Sequence, residues 1–297
     1  MVSPSTPPAE FEVDADLVRR LIAAQHPDLS GLAIEPFDAG WDNAMFRLGP
    51  SLAVRLPRRT SAAALVVHEQ RWLPTIAGTL PIAVPAPVRI GEPGEGYPWR
   101  WSVLPWIAGT AADLAPPRDG EAARFAHFLE HLHVKAPVDA PANPVRGVPL
   151  ANRAAVVEAR LVRLEARTTL VTPAVRRAWS SALDAPAAGA ATWIHGDLHP
   201  RNVLVGSDGT ITGIVDWGDM AAGDKATDLA AVWMLFGTAE SRAVAQAAYP
   251  DRSQALWARA RGWAIAIGAV LLETGLEDHP RHARIGELTL ARIAEDG

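Results

Sequence analysis

The residues with chemistry in them crowd into one stretch, Trp193 to Asp219, which reads W-I-H-G-D-L-H-P-R-N-V-L-V-G-S-D-G-T-I-T-G-I-V-D-W-G-D. Asp197, Asn202 and Asp216 offer two carboxylates and an amide oxygen on loops. Hard oxygen ligands of this kind suit Mg²⁺. The elements that must position them can be read from the pattern. Val203-Leu204-Val205 and Ile211 to Val215 are β-rich runs separated by Gly206-Ser207-Asp208-Gly209-Thr210. That predicts a hairpin with a glycine-containing loop. Its open end carries Asn202 before the first strand and Asp216 after the second. Paired strands lie only ~4.8 Å apart, so the amide and the carboxylate meet at one mouth. Asp197 stands just upstream, in His195-Gly196-Asp197.

The order Asp-x4-Asn, then a strand pair ending in Asp, is that of a kinase catalytic loop and its metal-binding Asp. The stretch resembles the aminoglycoside phosphotransferase family, whose fold is related to that of protein kinases. The family pattern H-G-D-x-x-x-x-N stands here as His195 to Asn202, and I-D-W/F as Val215-Asp216-Trp217. The resemblance runs from about Ile34 to Ala230, with its most specific motifs in 195–228. It implies an α+β, two-lobed protein-kinase-like fold: a small antiparallel β N-lobe over 1–107 that binds nucleotide, and a larger, mainly helical C-lobe over 108–297 that carries catalysis and substrate.

The activity implied is transfer of the γ-phosphoryl of ATP or GTP to a hydroxyl of an aminoglycoside or macrolide-type antibiotic. In that scheme Asp197 orients the hydroxyl and accepts its proton late, since an alcohol is too weak an acid for early deprotonation by a carboxylate. Asn202 and Asp216 hold Mg²⁺. Two alternatives stay open. One is the same chemistry on a small metabolite such as an amino alcohol, a sugar or a fructosamine. The other is a nucleotide-binding regulatory module without turnover, against which the intact Asp197, Asn202 and Asp216 argue. No A-P-E segment follows Asp216, which argues against a protein kinase. Asp228, in a G-D-x-x-x-D segment, is expected to support the catalytic loop, and Asp219 to touch substrate or metal or to lie in a solvated loop.

Upstream, Asp14 is expected to cap a helix with the stripe Leu17, Val18, Leu21 and Ile22, after a loose tail over 1–12. Strands are predicted at Ile34–Phe37, Ala44–Leu48 and Leu52–Leu56. The loop Asp38–Asn43 between the first two has only Gly40 at its tip and lacks G-x-G-x-x-G; by resemblance it lies over the phosphates. In the third strand Leu52, Val54 and Leu56 share one face, so Arg55 points the other way, towards a cleft. Ser61 signals the cap of a helix over 62–73, and Glu69 falls on its inward stripe, where a carboxylate wants a cation. Arg55 is the obvious partner. By resemblance the pair takes the place of the kinase Lys–Glu pair that steadies the phosphates, with Arg for Lys as a departure. Trp101–Ile107 is a predicted strand; by resemblance it is the last strand of the N-lobe and leads into a hinge, where backbone groups of Pro105, Trp106 and Ile107 would face the purine. Pro105 lacks the N–H and can only accept.

Composition narrows the rest. The chain has 297 residues, a net charge of −5 and no cysteine. Disulfides and thiolate chemistry are excluded, and nucleic acid is disfavoured as a partner. The Pro/Ser-rich start lacks a signal pattern, and the longest apolar run, Gly262 to Leu272, is too short to span a bilayer. A cytoplasmic enzyme with a small-molecule hydroxyl acceptor, no membrane and an undetermined oligomeric state is expected. His127-Phe128-Leu129-Glu130-His131 matches H-x-x-E-H, an inverted zinc-protease motif. Such a match arises easily among nine histidines, no third ligand is indicated, and a partly exposed helix face is the expectation. Arg153, Arg160, Arg163 and Arg167 form a basic helix face. By resemblance the C-terminal helical region helps build the acceptor pocket; Glu273, Glu277, Asp278 and Glu287 there would suit polycationic acceptors, while Trp257 and Trp263 would suit a larger apolar one.

Overall fold

The computed structural model describes residues 9–39 and 42–297. Gly40, the expected tip of the phosphate loop, and residues 1–8 of the expected tail lie outside the described residues. The chain divides into two compact units. The first holds the described residues up to Thr79 together with Ala83–Ile107, and the second holds Leu80–Ile82 and Ala108–Gly297. Leu80–Ile82, expected with the N-terminal part, belongs with the second unit.

In the first unit, helix α1 (Ala15–Gln25) starts as the sequence predicts: the Asp14 carboxylate accepts the Leu17 N–H at 2.7 Å. Five strands follow the hydrophobic runs: β1 (Ile34–Ala39), β2 (Asn43–Leu48), β3 (Leu52–Pro57), and, beyond helix α2 (Thr60–Ala77), β4 (Arg89–Gly91) and β5 (Trp101–Pro105). They form one antiparallel sheet in the order β1-β2-β3-β5-β4. In β2 burial alternates, with Ala44, Phe46 and Leu48 inside, so one face packs and the other meets solvent. In β3 every residue from Ala53 to Pro57 is buried. One face meets the stripe Leu17, Val18, Leu21 and Ile22 of α1, and α2 packs against β3 and β5.

Two details of the first unit differ from expectation. Ser61 does not cap α2. The helix begins at Thr60, and the Glu10 carboxylate accepts both the Thr60 N–H (3.0 Å) and its hydroxyl (2.6 Å). A carboxylate at this end also suits the helix dipole. Glu10 and Phe11 are likewise not loose: their N–H groups donate to the Arg58 carbonyl, and Phe11 packs edge-on against Tyr97 at 5.4 Å.

The second unit opens with β6 (Thr110–Ala111) and helices α3 (Glu121–Leu132), α4 (Ala154–Glu165) and α5 (Pro173–Asp184). Next come β7 (Thr192–Ile194), β8 (Val203–Val205), β9 (Ile211–Ile214) and β10 (Ala221–Gly223). The predicted hairpin is β8–β9, extended by β6, while β7 pairs with β10. Asp224 accepts the Ala226 N–H, but the helix it caps is broken into α6 (Ala226–Leu229) and α7 (Ala231–Leu235) rather than running through Phe236. The chain ends in α8 (Ala239–Ala248), α9 (Gln254–Asp278) and α10 (Pro280–Glu295).

Glycines let α9 and α10 touch backbone to backbone. A Cβ on Gly275 would lie 2.0 Å from the Ala283 nitrogen, and one on Gly286 would lie 2.5 Å from the Gly268 oxygen. At 25 residues α9 is much longer than the apolar run read from sequence, and by length and composition it could cross a membrane. Its most apolar window is 72% buried inside the protein, as a core helix requires.

Candidate active site

The His195-Gly196-Asp197 turn is built by hydrogen bonds that the residue types dictate. Strand β7 delivers it, and the fully buried Asp228 of α6 receives it: its two carboxylate oxygens accept the His195 N–H at 2.7 Å and the Gly196 N–H at 2.9 Å. Bonds of this kind to an ionised acceptor are strong. Gly196 has φ +86°, and a Cβ there would lie 2.6 Å from the Asp219 carbonyl, so both conformation and space demand glycine. The buried His195 ring donates from Nε2 to the Val215 carbonyl (3.0 Å) and accepts the Asp197 N–H on Nδ1 (3.3 Å). One imidazole thus ties the turn to the segment before Asp216.

Asn202 is buried, and its amide donates to the Asp197 carbonyl at 2.9 Å, which leaves Oδ1 as the amide's acceptor group. Its own carbonyl accepts the Val215 N–H. Asp216 follows, exposed and with φ +63°, a left-handed conformation unusual for a residue with a Cβ. Asp197 and Asp216 both act electrostatically on His199 and on Asp219. The three oxygen-bearing residues singled out from sequence are therefore brought together within the second unit. A donor set of one amide oxygen and carboxylates fits a hard divalent cation such as Mg²⁺.

Two side chains here were not found by sequence reasoning. The Asn143 carboxamide oxygen accepts the Val145 and Arg146 N–H groups, while its nitrogen donates to Asp219 Oδ1 at 2.7 Å. This turn sets Arg146 Nη2 2.6 Å from Asp197 Oδ1. The loop is docked by main-chain bonds, Ala222 N–H to the Pro141 carbonyl and Asp224 N–H to the Gly147 carbonyl. On its other oxygen Asp197 has His199 Nε2 at 3.5 Å. An asparagine three residues before an arginine hints at a side-chain turn, but nothing in the spacing points Arg146 at Asp197.

The charges follow from these contacts. Burial pushes the Asp197 carboxyl up, but His199 and Arg146 outweigh it and hold the group below its ordinary value. Burial also pulls the His199 imidazole down, towards its neutral form, so Arg146 is the neighbour whose charge persists at neutral pH. Asp219 goes the other way: burial first, then the Asp197 charge, raise it.

In the first unit, Arg55 and Glu69 form the expected ion pair, with Arg55 Nη1 on Glu69 Oε2. It is no surface bridge, since Arg55 is 5% and Glu69 1% exposed. In the segment expected to form the hinge, one backbone group is already engaged. The Trp106 N–H donates to the Ser51 carbonyl at 2.8 Å, continuing the β3–β5 pairing, so it is engaged within the sheet and not turned to a base. The Trp106 ring lies under the Arg47 guanidinium (4.1 Å) and against Phe37 (4.7 Å). Of the C-terminal acids, Glu273 is held by Arg160 and Arg163, both at 2.7 Å.

The phosphotransferase enzyme family matches residues 33–263, and the chain belongs to that family. Three solved structures are similar over nearly their whole length. The wild-type aminoglycoside 2'-phosphotransferase-IIIa in its GDP complex has a TM-score of 0.69 at 20% identity, covering 96% of this chain and 100% of that one. The GDP and kanamycin complex of APH(2")-IIia has a TM-score of 0.63 at 22% identity, covering 94% and 99%. Macrolide 2'-phosphotransferase MphH from Brachybacterium faecium, an apoenzyme, has a TM-score of 0.60 at 24% identity, covering 94% and 97%. A relative in sequence is the uncharacterized protein YcbJ of Bacillus subtilis (strain 168), 23% identical over 252 residues, or 78% of this chain and 80% of that protein. The fold is thus the two-lobed, kinase-like α+β fold, and the chain is a phosphotransferase.

Proposed function

We propose that this protein transfers the γ-phosphoryl of a nucleoside triphosphate, ATP or GTP, to a hydroxyl of a small molecule. The observation that carries this reading is the Asp197–Asn202–Asp216 cluster, tied together by the Asn202 amide on the Asp197 carbonyl and the Val215 N–H on the Asn202 carbonyl. Asp197 orients the acceptor hydroxyl and takes its proton late, as the new P–O bond forms and the nucleoside diphosphate leaves. Asn202 and Asp216 would hold Mg²⁺, which neutralises phosphate charge when bound. Arg55, steadied by Glu69, and the backbone of the Pro105–Ile107 segment belong to the nucleotide-binding part over 1–107; acceptor and catalysis belong to 108–297. Alignment and charge neutralisation supply most of the rate.

Aminoglycoside and macrolide antibiotics are the first acceptors to test, because similar solved enzymes are named for them. A second reading, a small metabolic alcohol, is favoured by one observation: Asp197 and Glu273, which could draw a polycation, are already matched by Arg146, Arg160 and Arg163. The test is purified protein with Mg²⁺ and γ-labelled ATP or GTP against aminoglycosides, macrolides, sugars and amino alcohols. Label moving to a hydroxyl acceptor supports the reading. Tight nucleotide binding without transfer to any acceptor would favour a regulatory module, and an Asp197→Ala protein as active as the wild type would remove the catalytic assignment.

A further inference from the structure

The last turns of α3 carry a cluster that phosphoryl transfer does not use. His127, Glu130 and His131 stand at i, i+3 and i+4, on one face of the helix. The opposite face is committed to the core through Phe125, Phe128, Leu129 and Leu132. His127 and Glu130 are exposed and His131 is half-buried. The two imidazole rings lie 4.2 Å apart, centre to centre, and one potential ligand atom from each of the three residues lies within 4.8 Å of the others.

The hydrogen bonds fix which ring nitrogen is free. His127 Nδ1 lies 3.0 Å from Glu130 Oε2. A carboxylate only accepts, so Nδ1 carries the hydrogen. His131 Nδ1 lies 2.8 Å from the His127 carbonyl oxygen, which again only accepts. In the neutral form of each ring, Nε2 is left with its lone pair. A ring whose Nδ1–H is anchored on a carboxylate or a carbonyl, with Nε2 outward, is oriented for a metal ion. His131 also lies in the last turn of α3, where the negative end of the helix favours a cation.

We propose that Nε2 of His127 and Nε2 of His131 together bind a dication of the zinc–copper class, with Glu130 orienting His127 and water completing the shell. Two imidazoles select this class over Mg²⁺ and Ca²⁺, which want oxygen. Bonds of ~2.0–2.1 Å to zinc require the two nitrogens to close to roughly 3.3 Å. His127, the exposed member of the pair, can close that gap by turning about χ1 and χ2. The other close histidine pair, His279 and His282, is a built-in control: His282 Nε2 already accepts from Arg201 at 2.5 Å.

The test is a competition titration of the nucleotide-free, Mg²⁺-free protein with ZnCl₂ and CuCl₂ against a chromophoric chelator at neutral pH. One site of micromolar affinity or better is expected, bound more tightly by Cu²⁺ than by Zn²⁺. His127→Gln and His131→Gln should each weaken it at least about tenfold, and Glu130→Gln by about tenfold, as the loss of an orienting partner does. Without metal the variants should melt with the wild type. Zn²⁺ should raise the wild-type melting temperature but not that of the double histidine variant. Equal affinity in the wild type and the double variant would overturn the site, as would loss of binding in His282→Ala instead. A second zinc bound among the active-site carboxylates would persist in both proteins and so be told apart.

Discussion

Arg146 and Asp197 share a hydrogen bond of 2.6 Å, so a permanent cation grips the carboxylate assigned to the acceptor hydroxyl. The contact engages Oδ1 of Asp197, while His199 Nε2 lies 3.5 Å from its second oxygen. Hydrogen bonds to charged groups contribute about 1.5–3 kcal/mol, so Arg146→Gln should lower kcat roughly 10- to 100-fold. Arg146→Lys should restore part of it. Steady-state kinetics at saturating nucleotide check this; a wild-type kcat in Arg146→Gln would show that the contact does not serve catalysis.

Gly147 makes the same point through the backbone. It has φ +68°, and a Cβ there would lie 2.9 Å from the Gly223 Cα and 2.5 Å from Ile194 Cδ1. Gly147→Ala should therefore push the loop off β10 and take Arg146 with it. We expect the kinetic defect of Arg146→Gln plus a loss of stability of about 1–3 kcal/mol, read by denaturant melts beside the assay.

The buried Arg55–Glu69 pair separates fold from function. Arg55→Met leaves a buried carboxylate without this partner and should cost about 3–5 kcal/mol, whereas Arg55→Met with Glu69→Leu should recover most of that stability. Nucleotide affinity should stay low in both. If the double variant binds nucleotide like the wild type, the pair is structural only.

Asp228→Asn should loosen the His195-Gly196-Asp197 turn. The His195 and Gly196 N–H groups sit on different oxygens of Asp228, and in Asn one of those becomes an NH2 donor, so one N–H loses its acceptor at a cost of about 1–3 kcal/mol. A melting temperature lower by roughly 3–10 °C is expected, together with a fall in kcat. An unchanged melt would contradict the role drawn from the two bonds.

His282 gives a pH dependence with a definite sign. Burial, then the Arg201 charge, hold its imidazole at about 4, below the ordinary 6.5. The folded protein favours the neutral ring, so the unfolded chain takes up the proton first as pH falls. The stabilisation is complete above about 6.5 and is lost as pH drops towards 4. Melting temperatures from pH 8 to 4 should fall less steeply in His282→Asn; identical slopes would rule out this source.

The sequence was most legible where one residue type does one local job. Asp14 caps α1, Gly206–Thr210 close the hairpin, and Arg55 finds Glu69 because alternation along β3 and the stripe on α2 aim them at each other. It was least legible where partners come from far away. The cap of α2 comes from Glu10, and the guanidinium on Asp197 comes from a proline-rich loop with no periodicity. The two-strand pairing of β7 with β10 is too short to leave a pattern. That the Trp106 N–H is engaged by Ser51 depends on the β3–β5 register, which is not visible in a run of apolar residues.

Asp228 accepts from His195 and Gly196 and also meets Nε2 of His133, the residue just past the end of α3, at 3.4 Å. The eight-residue motif from His195 to Asn202 is therefore not a portable cassette. Transplanted alone into another scaffold it would arrive without the anchor that gives it shape, so a working graft must bring α6 and the far end of α3 along with it.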